Sequence, residues 1–187
     1  MDIRPVRRVV TGHDAQGRAI VAMDGLAANV LHRPSRPGVA LTELWGTSGT
    51  PAARTGTPAA RTGGDPVDRP VVLHPPPGGT VFRIIQFDPE DPGALAHADG
   101  ATAFAAMGAA GTVVAGARHP YMHRTDTVDY AVVLQGSITM LLDDEDVELS
   151  AGDVVIQNGT NHAWANRGHA PCLMAFVLID ASGDPPR

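Results

Sequence analysis

The C-terminal part of the chain alternates short apolar segments with polar turns, and this pattern limits the possible folds more than any other feature. From Gly111 onward, segments such as DYAVVLQG, SITMLL, VELS and VVIQ are separated by turns such as DDED, AGD and NGTN. A longer apolar segment, PCLMAFVLID, ends the series. Short strands at regular spacing with turn residues between them are typical of β-sandwiches and β-barrels. The sequence therefore predicts an all-β fold.

The N-terminal part adds further strands and the best helix candidate. VRRVVTG and RAIVAMDG flank the polar turn HDAQG, which predicts a β-hairpin, and VALTELWG and TVFRIIQF predict two more strands. In DGATAFAAMGAAG, Asp99 can cap a short helix that Gly108 or Gly111 can end. We expect one structural domain, in which residues 1–110 pack on a barrel core of residues 111–183. The hairpin is expected to lie outside the barrel, across a homodimer interface.

An internal repeat interrupts the N-terminal part. The heptad TPAARTG occupies residues 50–56 and occurs again, unchanged, at residues 57–63. Two copies are too few for a repeat architecture. A duplicated Pro/Ala/Gly-rich segment is typical of a lengthened surface loop, and we expect residues 48–68 to be flexible.

Composition excludes several classes of partner. The formal net charge of -6 gives no electrostatic reason to expect nucleic acid or an anionic membrane as a partner. A single cysteine, Cys172, excludes an internal disulfide and fits a reducing compartment. No apolar run is long enough to cross a bilayer, and the N-terminus lacks the apolar core of a signal peptide. We expect a soluble, cytoplasmic protein that acts on a small molecule.

The segment HPYMHRT is the first candidate for a functional site. Side chains of a strand alternate between its two faces, so His119, Tyr121, His123 and Thr125 would share one face. Asp129 follows at the start of the next apolar strand. The segment therefore offers two imidazoles and a carboxylate within a short stretch.

The segment HAWAN is the second candidate, with His162, Trp164 and Asn166 on one face. A barrel that joins the two segments would bring His123, Asp129 and His162 to one point. Two imidazoles and a carboxylate suit non-haem iron, although zinc, nickel, copper or manganese could also bind. The alternative is that these histidines are hydrogen-bonded core residues and that Asp129 caps a turn. The remaining histidines lie among turn or loop residues and are expected to be solvated: His13, His32, His74, His97 and His169.

The stretches GARHPYMHRTDTVDYAVVLQG and GDVVIQNGTNHAWAN resemble the two motifs of the cupin superfamily. In this resemblance His123 takes the place of the first histidine, Asp129 that of the glutamate, and His162 that of the histidine in the second motif. Thr125 stands where the family has another histidine, and Gln157 replaces a proline. The remaining matches are Gly136, Gly152, Gly159 and Asn166.

The chain is also similar to single-domain cupins that carry HRTDT-DY and GTNHAW and occur among secondary-metabolism and aromatic-pathway proteins. The resemblance implies a cupin-type jelly-roll β-barrel with an N-terminal hairpin extension and one or two short helices. It also implies a metal-dependent enzyme, an oxidoreductase or a lyase or isomerase, acting on a small carbonyl, aromatic or polyketide-like molecule by oxygenation, decarboxylation, cyclisation or isomerisation. Two alternatives remain: a non-catalytic small-molecule binder, and a metal-free lyase or isomerase in which His123 or His162 is the general base.

Each candidate residue has an expected role. The resemblance implies that His123, His162 and Asp129 hold one divalent ion. We hypothesise that Thr125 takes part in catalysis by leaving a coordination position open, while His119 could supply a replacement imidazole. The expected substrate contacts are Tyr121, Gln157, Trp164 and Asn166. Met140, Met174 and Phe176 are interpreted as core residues, with cavity lining as the alternative.

Overall fold

A computed structural model describes residues 1–52 and 65–182 of the chain. These residues form mainly β-strands, which confirms the predicted all-β class. Neither helix in this part of the chain is long and apolar enough to cross a bilayer. In chain order the elements are β1 (Arg7–His13), β2 (Ala19–Leu26), β3 (Val30–His32), β4 (Val39–Thr47), β5 (Thr80–Phe87), α1 (Pro92–Ala96), α2 (Gly100–Ala105), β6 (Thr127–Gln135), β7 (Ser137–Leu141), β8 (Asp146–Ser150), β9 (Val154–Asn158), β10 (Ala163–Ala165) and β11 (Cys172–Asp180).

Two antiparallel sheets form the barrel, and the N-terminal hairpin forms a separate two-stranded sheet. The larger sheet has six strands in the order β3-β4-β5-β11-β6-β9, and the smaller has three in the order β10-β7-β8. Side chains from both sheets meet in one apolar core that includes Val81, Met174, Phe176, Ile138 and Met140. Two facing sheets around a shared core are the jelly-roll arrangement that the sequence predicts. The interpretation of Met140, Met174 and Phe176 as core residues is confirmed, since all three are buried.

The barrel is not confined to the part of the chain after residue 110. Strands β3, β4 and β5 belong to the N-terminal part, yet they pair into the same sheet as β11 and β6. The whole length of β11 pairs with β5 on one side and with β6 on the other. A barrel core limited to residues 111–183 was therefore too narrow a prediction.

The segment from Gly111 to Thr125, of which HPYMHRT is treated above as a strand, is largely irregular. It makes only isolated bridges in the described structure, Val113 with His123 and His123 with His162. The prolines and glycines around it interrupt regular pairing, although its inward side chains are still buried. The four side chains predicted to point inward are buried, but the alternation is broken by Met122, which is also fully buried.

The short helix α2 follows its sequence signals closely. The Asp99 carboxylate accepts a hydrogen bond from the Thr102 backbone N–H at 3.0 Å and caps the helix. Gly108, with a φ of 72°, ends the turn that follows. Phe104 of α2 is fully buried, so the helix closes one end of the barrel interior.

The N-terminal hairpin, β1 and β2, lies outside the barrel as predicted. Arg8 joins it to the barrel by donating to the Leu44 carbonyl and by pairing with Asp65. Several of its apolar side chains are exposed, Leu26 at 67% among them. The homodimer expected at this surface stays a prediction.

Most of the TPAARTG repeat, residues 53–63, lies outside the described residues. The end of the segment predicted to be flexible is packed: Val67 is buried and Asn29 donates a hydrogen bond to its carbonyl. The prediction of flexibility over residues 48–68 was therefore wrong for Val67, because an apolar side chain there joins the fold.

Candidate metal centre and substrate pocket

His123 and His162 lie side by side on the inner wall of the barrel. Their backbones form an antiparallel bridge, with each N–H donating to the carbonyl of the other at 2.9 and 3.0 Å. The two imidazole rings are 4.5 Å apart between centroids and tilted by 42°. Both residues are buried. We refer to these two residues as the histidine pair.

The hydrogen bonds of the histidine pair determine which ring nitrogens are available. Nδ1 of His123 lies 3.1 Å from the Tyr121 carbonyl, and Nδ1 of His162 lies 3.0 Å from the Thr160 carbonyl. A carbonyl only accepts, so each Nδ1 carries the hydrogen and each Nε2 of the neutral ring keeps its lone pair. This is the arrangement that metal-binding histidines adopt, with the second nitrogen held by a backbone carbonyl.

The spacing of the two rings fits ligation of a common ion. Two imidazoles bound to one metal in adjacent positions at about 2.1 Å place their ring centres about 4.5–5 Å apart. Burial lowers the pKa of His162 to about 4. Burial, the neighbouring His162 and Arg36 lower the pKa of His123 well below its usual value. Both rings are therefore neutral at pH 7, as metal ligands need to be.

Within residues 1–52 and 65–182, no third His, Cys, Asp or Glu joins the histidine pair to form a metal-binding group. The predicted carboxylate ligand, Asp129, is buried on β6 and is not part of such a group. Its strand β6 pairs with β9, and Asp129 faces Gln157 across that pairing. The residues present thus supply two ligands of the expected set, and a ligand role for Asp129 stays a prediction.

Asp129 belongs to a group of buried charges with Arg83 and Glu43, which we call the ion cluster. Glu43 and Arg83 are direct cross-strand partners on β4 and β5, and their charged groups lie 3.3 Å apart. Burial raises the pKa of Asp129 to about 6, against the opposing effects of Thr127 and the positive charge of Arg83. Oδ1 of Asp129 has no hydrogen-bond partner among the described residues. The Asp129 carboxylate is thus influenced by the Thr127 hydroxyl and, through charge alone, by Arg83.

Thr125 is buried, and its hydroxyl lies 2.7 Å from that of Thr127. The Thr125 carbonyl is also close to the turn before His162, because a Cβ at Gly159 would lie 2.9 Å from it. Gly159 has a φ of 59°, so a glycine is required there both by conformation and by space. This explains the glycine in GTNHAW, since the turn brings His162 up to the strand that carries His123.

Gln157 holds the turn before His162 through its side-chain amide. Its amide nitrogen donates to the Thr160 carbonyl at 3.0 Å and to the Thr160 hydroxyl at 2.7 Å. The same carbonyl accepts from Nδ1 of His162. Gln157 was expected to contact substrate, whereas its hydrogen bonds make it a positioning residue for His162.

A pocket of about 370 Å³ contains three of the four residues expected to contact substrate, Tyr121, Trp164 and Asn166, although neither histidine of the pair lines it. Tyr121 is two residues before His123, and Trp164 is two residues after His162. Each of these side chains therefore lies on the same face as the neighbouring histidine. The Trp164 ring lies 5.7 Å from that of His162. A ligand in this pocket would therefore lie against the side chains that flank the histidine pair.

Two of the predicted residues have their polar atoms engaged by the fold. The Asn166 amide donates to the carbonyls of Phe87 and Ala170 and accepts from the Gly168 N–H. His119 uses Nε2 toward the Glu90 carboxylate at 3.0 Å and Nδ1 toward the Tyr121 N–H at 3.3 Å. His119 therefore has no nitrogen left for a metal. Of the five histidines expected to be solvated, four are exposed and His74 is half-buried.

Sequence reasoning missed Arg36 and Phe104, which lie against the site. The Phe104 ring is 4.3 Å from that of His123. The Arg36 guanidinium lies over the rings of Tyr121 and Phe104, at 4.7 and 5.3 Å from their centroids. Phe104 could have been suspected as the one aromatic residue in an alanine-rich helix. Nothing in the loop HRPSRPGV distinguishes Arg36 from its neighbours.

The fold and the buried histidines define a small jelly-roll protein with a ligand-sized internal pocket. Residues 110–179 match the family model described as Cupin domain. Phomopsin biosynthesis cluster protein C' of Diaporthe leptostromiformis is 30% identical over 185 residues, which cover 96% of this chain and 81% of the relative. The chain belongs to the cupin superfamily.

Two further relatives align with this chain over a similar share of its length. Cupin-domain-containing oxidoreductase fogC of Aspergillus ruber is 27% identical over 187 residues, covering 95% of this chain and 73% of that protein. Cupin-domain-containing oxidoreductase virC of Hypocrea virens is 26% identical over 183 residues, covering 95% and 77%. The similarity extends beyond the matched cupin domain into the N-terminal strands.

Proposed function

We propose that the protein is a metal-dependent cupin enzyme that transforms a small carbonyl, aromatic or polyketide-like molecule. The observation that carries the proposal is the histidine pair, two adjacent neutral imidazoles whose Nε2 lone pairs are both available. A divalent ion bound by His123 and His162 would polarise a carbonyl or enol oxygen of the substrate as a Lewis acid. Two protein ligands leave several positions for the oxygen atoms of a substrate.

The relatives support an enzyme in small-molecule biosynthesis. Two of them are named oxidoreductases, and another is named for a biosynthesis cluster. Among the reactions considered, oxygenation or another redox reaction therefore fits best, ahead of decarboxylation, cyclisation or isomerisation. The pocket volume of about 370 Å³ lies at the small end of the range for ligand sites, which suits a substrate of this class.

The electrostatics of the site disfavour the metal-free alternative. A general base works best when its pKa is near the working pH. The pKa of His162 is lowered to about 4 by burial, so at neutral pH its ring is a weak base. The same neutral ring remains a good metal ligand.

Metal analysis of purified protein tests the proposal. After dialysis and addition of Fe(II), Zn, Ni, Mn or Cu in turn, we expect about one equivalent per chain for at least one metal. His123→Ala and His162→Ala should each reduce this occupancy strongly, while His169→Ala, at an exposed loop histidine, should not. Occupancy well below one equivalent, or occupancy that neither histidine variant reduces, would contradict the metal assignment.

Two further measurements extend the test. Thr125→His should bind the metal more tightly if Thr125 leaves a coordination position open, because the variant supplies another imidazole. A panel of small carbonyl and aromatic compounds, followed by mass spectrometry, should show a compound that the wild type consumes and His162→Ala does not. Binding without consumption by any panel member would favour the non-catalytic alternative.

A further inference from the structure

Arg36 is the least satisfied charged side chain beside the pocket. Its Nε is buried without a hydrogen-bond partner. Within residues 1–52 and 65–182, its guanidinium donates no hydrogen bond and forms no ion pair with a carboxylate. It is held only by the faces of Tyr121 and Phe104. A guanidinium has five N–H donors, and none of those of Arg36 is used by another group of the described residues.

The position of Arg36 connects the pocket to the histidine pair. Arg36 lines the pocket together with Tyr121 and Trp164. Phe104, one of the two rings beneath the guanidinium, contacts His123. An anion bound by Arg36 would therefore lie in the pocket, with the Phe104 ring between the guanidinium and His123.

The three carboxylates of the pocket are already engaged. Asp88 accepts from the Gln86 amide, Asp91 accepts from the Gly93 N–H in capping α1, and Glu90 pairs with His119. Asp91 is also exposed, so solvent and salt screen its charge. These carboxylates lower the benefit of binding an anion, but none of them occupies the donors of Arg36.

We propose that Arg36 binds the carboxylate of an amphiphilic organic acid and so sets the substrate class of the pocket. The planar guanidinium fork matches a carboxylate by two parallel hydrogen bonds. The apolar walls formed by Phe87, Leu95 and Trp164 hold the remainder of the molecule. This inference rests on the proposed function and deepens it, since it names the chemical class of the substrate.

Binding of three matched probes tests the inference: 3-phenylpropanoate, its neutral amide 3-phenylpropanamide, and the cation 3-phenylpropylamine. Trp164 lines the pocket, so its fluorescence in a Trp45→Phe background reports occupancy. We expect the wild-type pocket to bind the carboxylate at least tenfold more tightly than the amide. Arg36→Gln should remove that preference, and Arg36→Lys should retain part of it, because lysine keeps the charge without the planar fork.

Arg33→Gln is the matched control, because Arg33 is an exposed arginine on the same loop. It should leave the preference for carboxylate unchanged. Equal binding of carboxylate and amide, tighter binding of the amine, no binding of the carboxylate at about 10 mM, or an equal effect of the two glutamine variants would each overturn the proposal.

Metal content measured on the same samples separates this inference from the proposed function. A pocket that prefers carboxylate in protein without metal would contradict only the metal assignment. A protein with one metal per chain and no carboxylate preference would contradict only the role of Arg36.

Discussion

The histidine pair and the ion cluster are both buried polar groups inside the same barrel, but they are satisfied in different ways. Each imidazole is neutral, uses one nitrogen on a backbone carbonyl and keeps the other for a ligand. In the ion cluster, Arg83 and Glu43 are charged and fully buried, and they neutralise each other. The difference indicates that the histidine pair serves binding and that the ion cluster serves stability.

Arg83→Met should cause the largest loss of unfolding free energy, and it changes the ion cluster alone. Removing the arginine leaves the Glu43 carboxylate, and to a lesser extent Asp129, without its compensating charge in the interior. Loss of one partner of a buried ion pair costs about 3–5 kcal/mol of unfolding free energy. Urea denaturation measures this loss, and the folded protein should keep the metal content of the wild type.

Arg69→Met is the control for that experiment. Arg69 pairs with the other oxygen of Glu43 at 3.2 Å, but its side chain is 33% exposed. Partly exposed pairs contribute about 1 kcal/mol or less. If both methionine variants lost the same stability, burial of Arg83 would not explain the effect.

Asp129→Asn tests whether Asp129 belongs to the ion cluster or to the metal centre. The pKa of Asp129 is about 6 in the folded protein and about 3.9 in an unfolded chain. Between these values the folded state binds more protons, so the aspartate's contribution to stability falls as pH rises. Asparagine does not ionise, and the stability of the variant relative to wild type should therefore rise by about 2–3 kcal/mol from pH 4 to pH 7.

Metal affinity is the second readout for Asp129→Asn. We expect a change of less than about threefold, because no carboxylate of the described residues joins the histidine pair. A loss of tenfold or more, without the predicted pH dependence of stability, would restore Asp129 as a ligand as the sequence motif implied.

The histidine pair and the ion cluster also show which features could be predicted from the sequence and which could not. The strands and the two histidines could be predicted, because alternation, turn residues and the spacing around Gly159 are local signals. The partner of Asp129 could not be predicted, since Arg83 lies in the apolar segment TVFRIIQF and meets Glu43 only through the pairing of β4 with β5. Arg36 was missed for a similar reason: its loop reaches the site only after α2 packs Phe104 against His123.

Gln157 lies between the histidine pair and the ion cluster, and its replacement should have the smallest effect on unfolding free energy. It faces Asp129 across the β6–β9 pairing and donates to the Thr160 carbonyl, which also accepts from His162. Gln157→Leu removes that support without adding a charge. Outer partners of metal-binding histidines typically change affinity by about 10- to 100-fold, and we expect the lower end, because the His162 bond to Thr160 remains.

Gln86→Leu is a matched control for Gln157→Leu, since Gln86 is a buried glutamine whose amide donates to the Asp2 carbonyl and to Asp88, away from the histidine pair. Both variants should lose about 1 kcal/mol of unfolding free energy for the lost hydrogen bonds. Only Gln157→Leu should weaken metal binding, measured by competition with a chelator. If both variants weakened it equally, the effect would come from general destabilisation. If neither did, the bond between His162 and Thr160 would be sufficient to orient the imidazole, and the histidine pair would depend on its own backbone bridge.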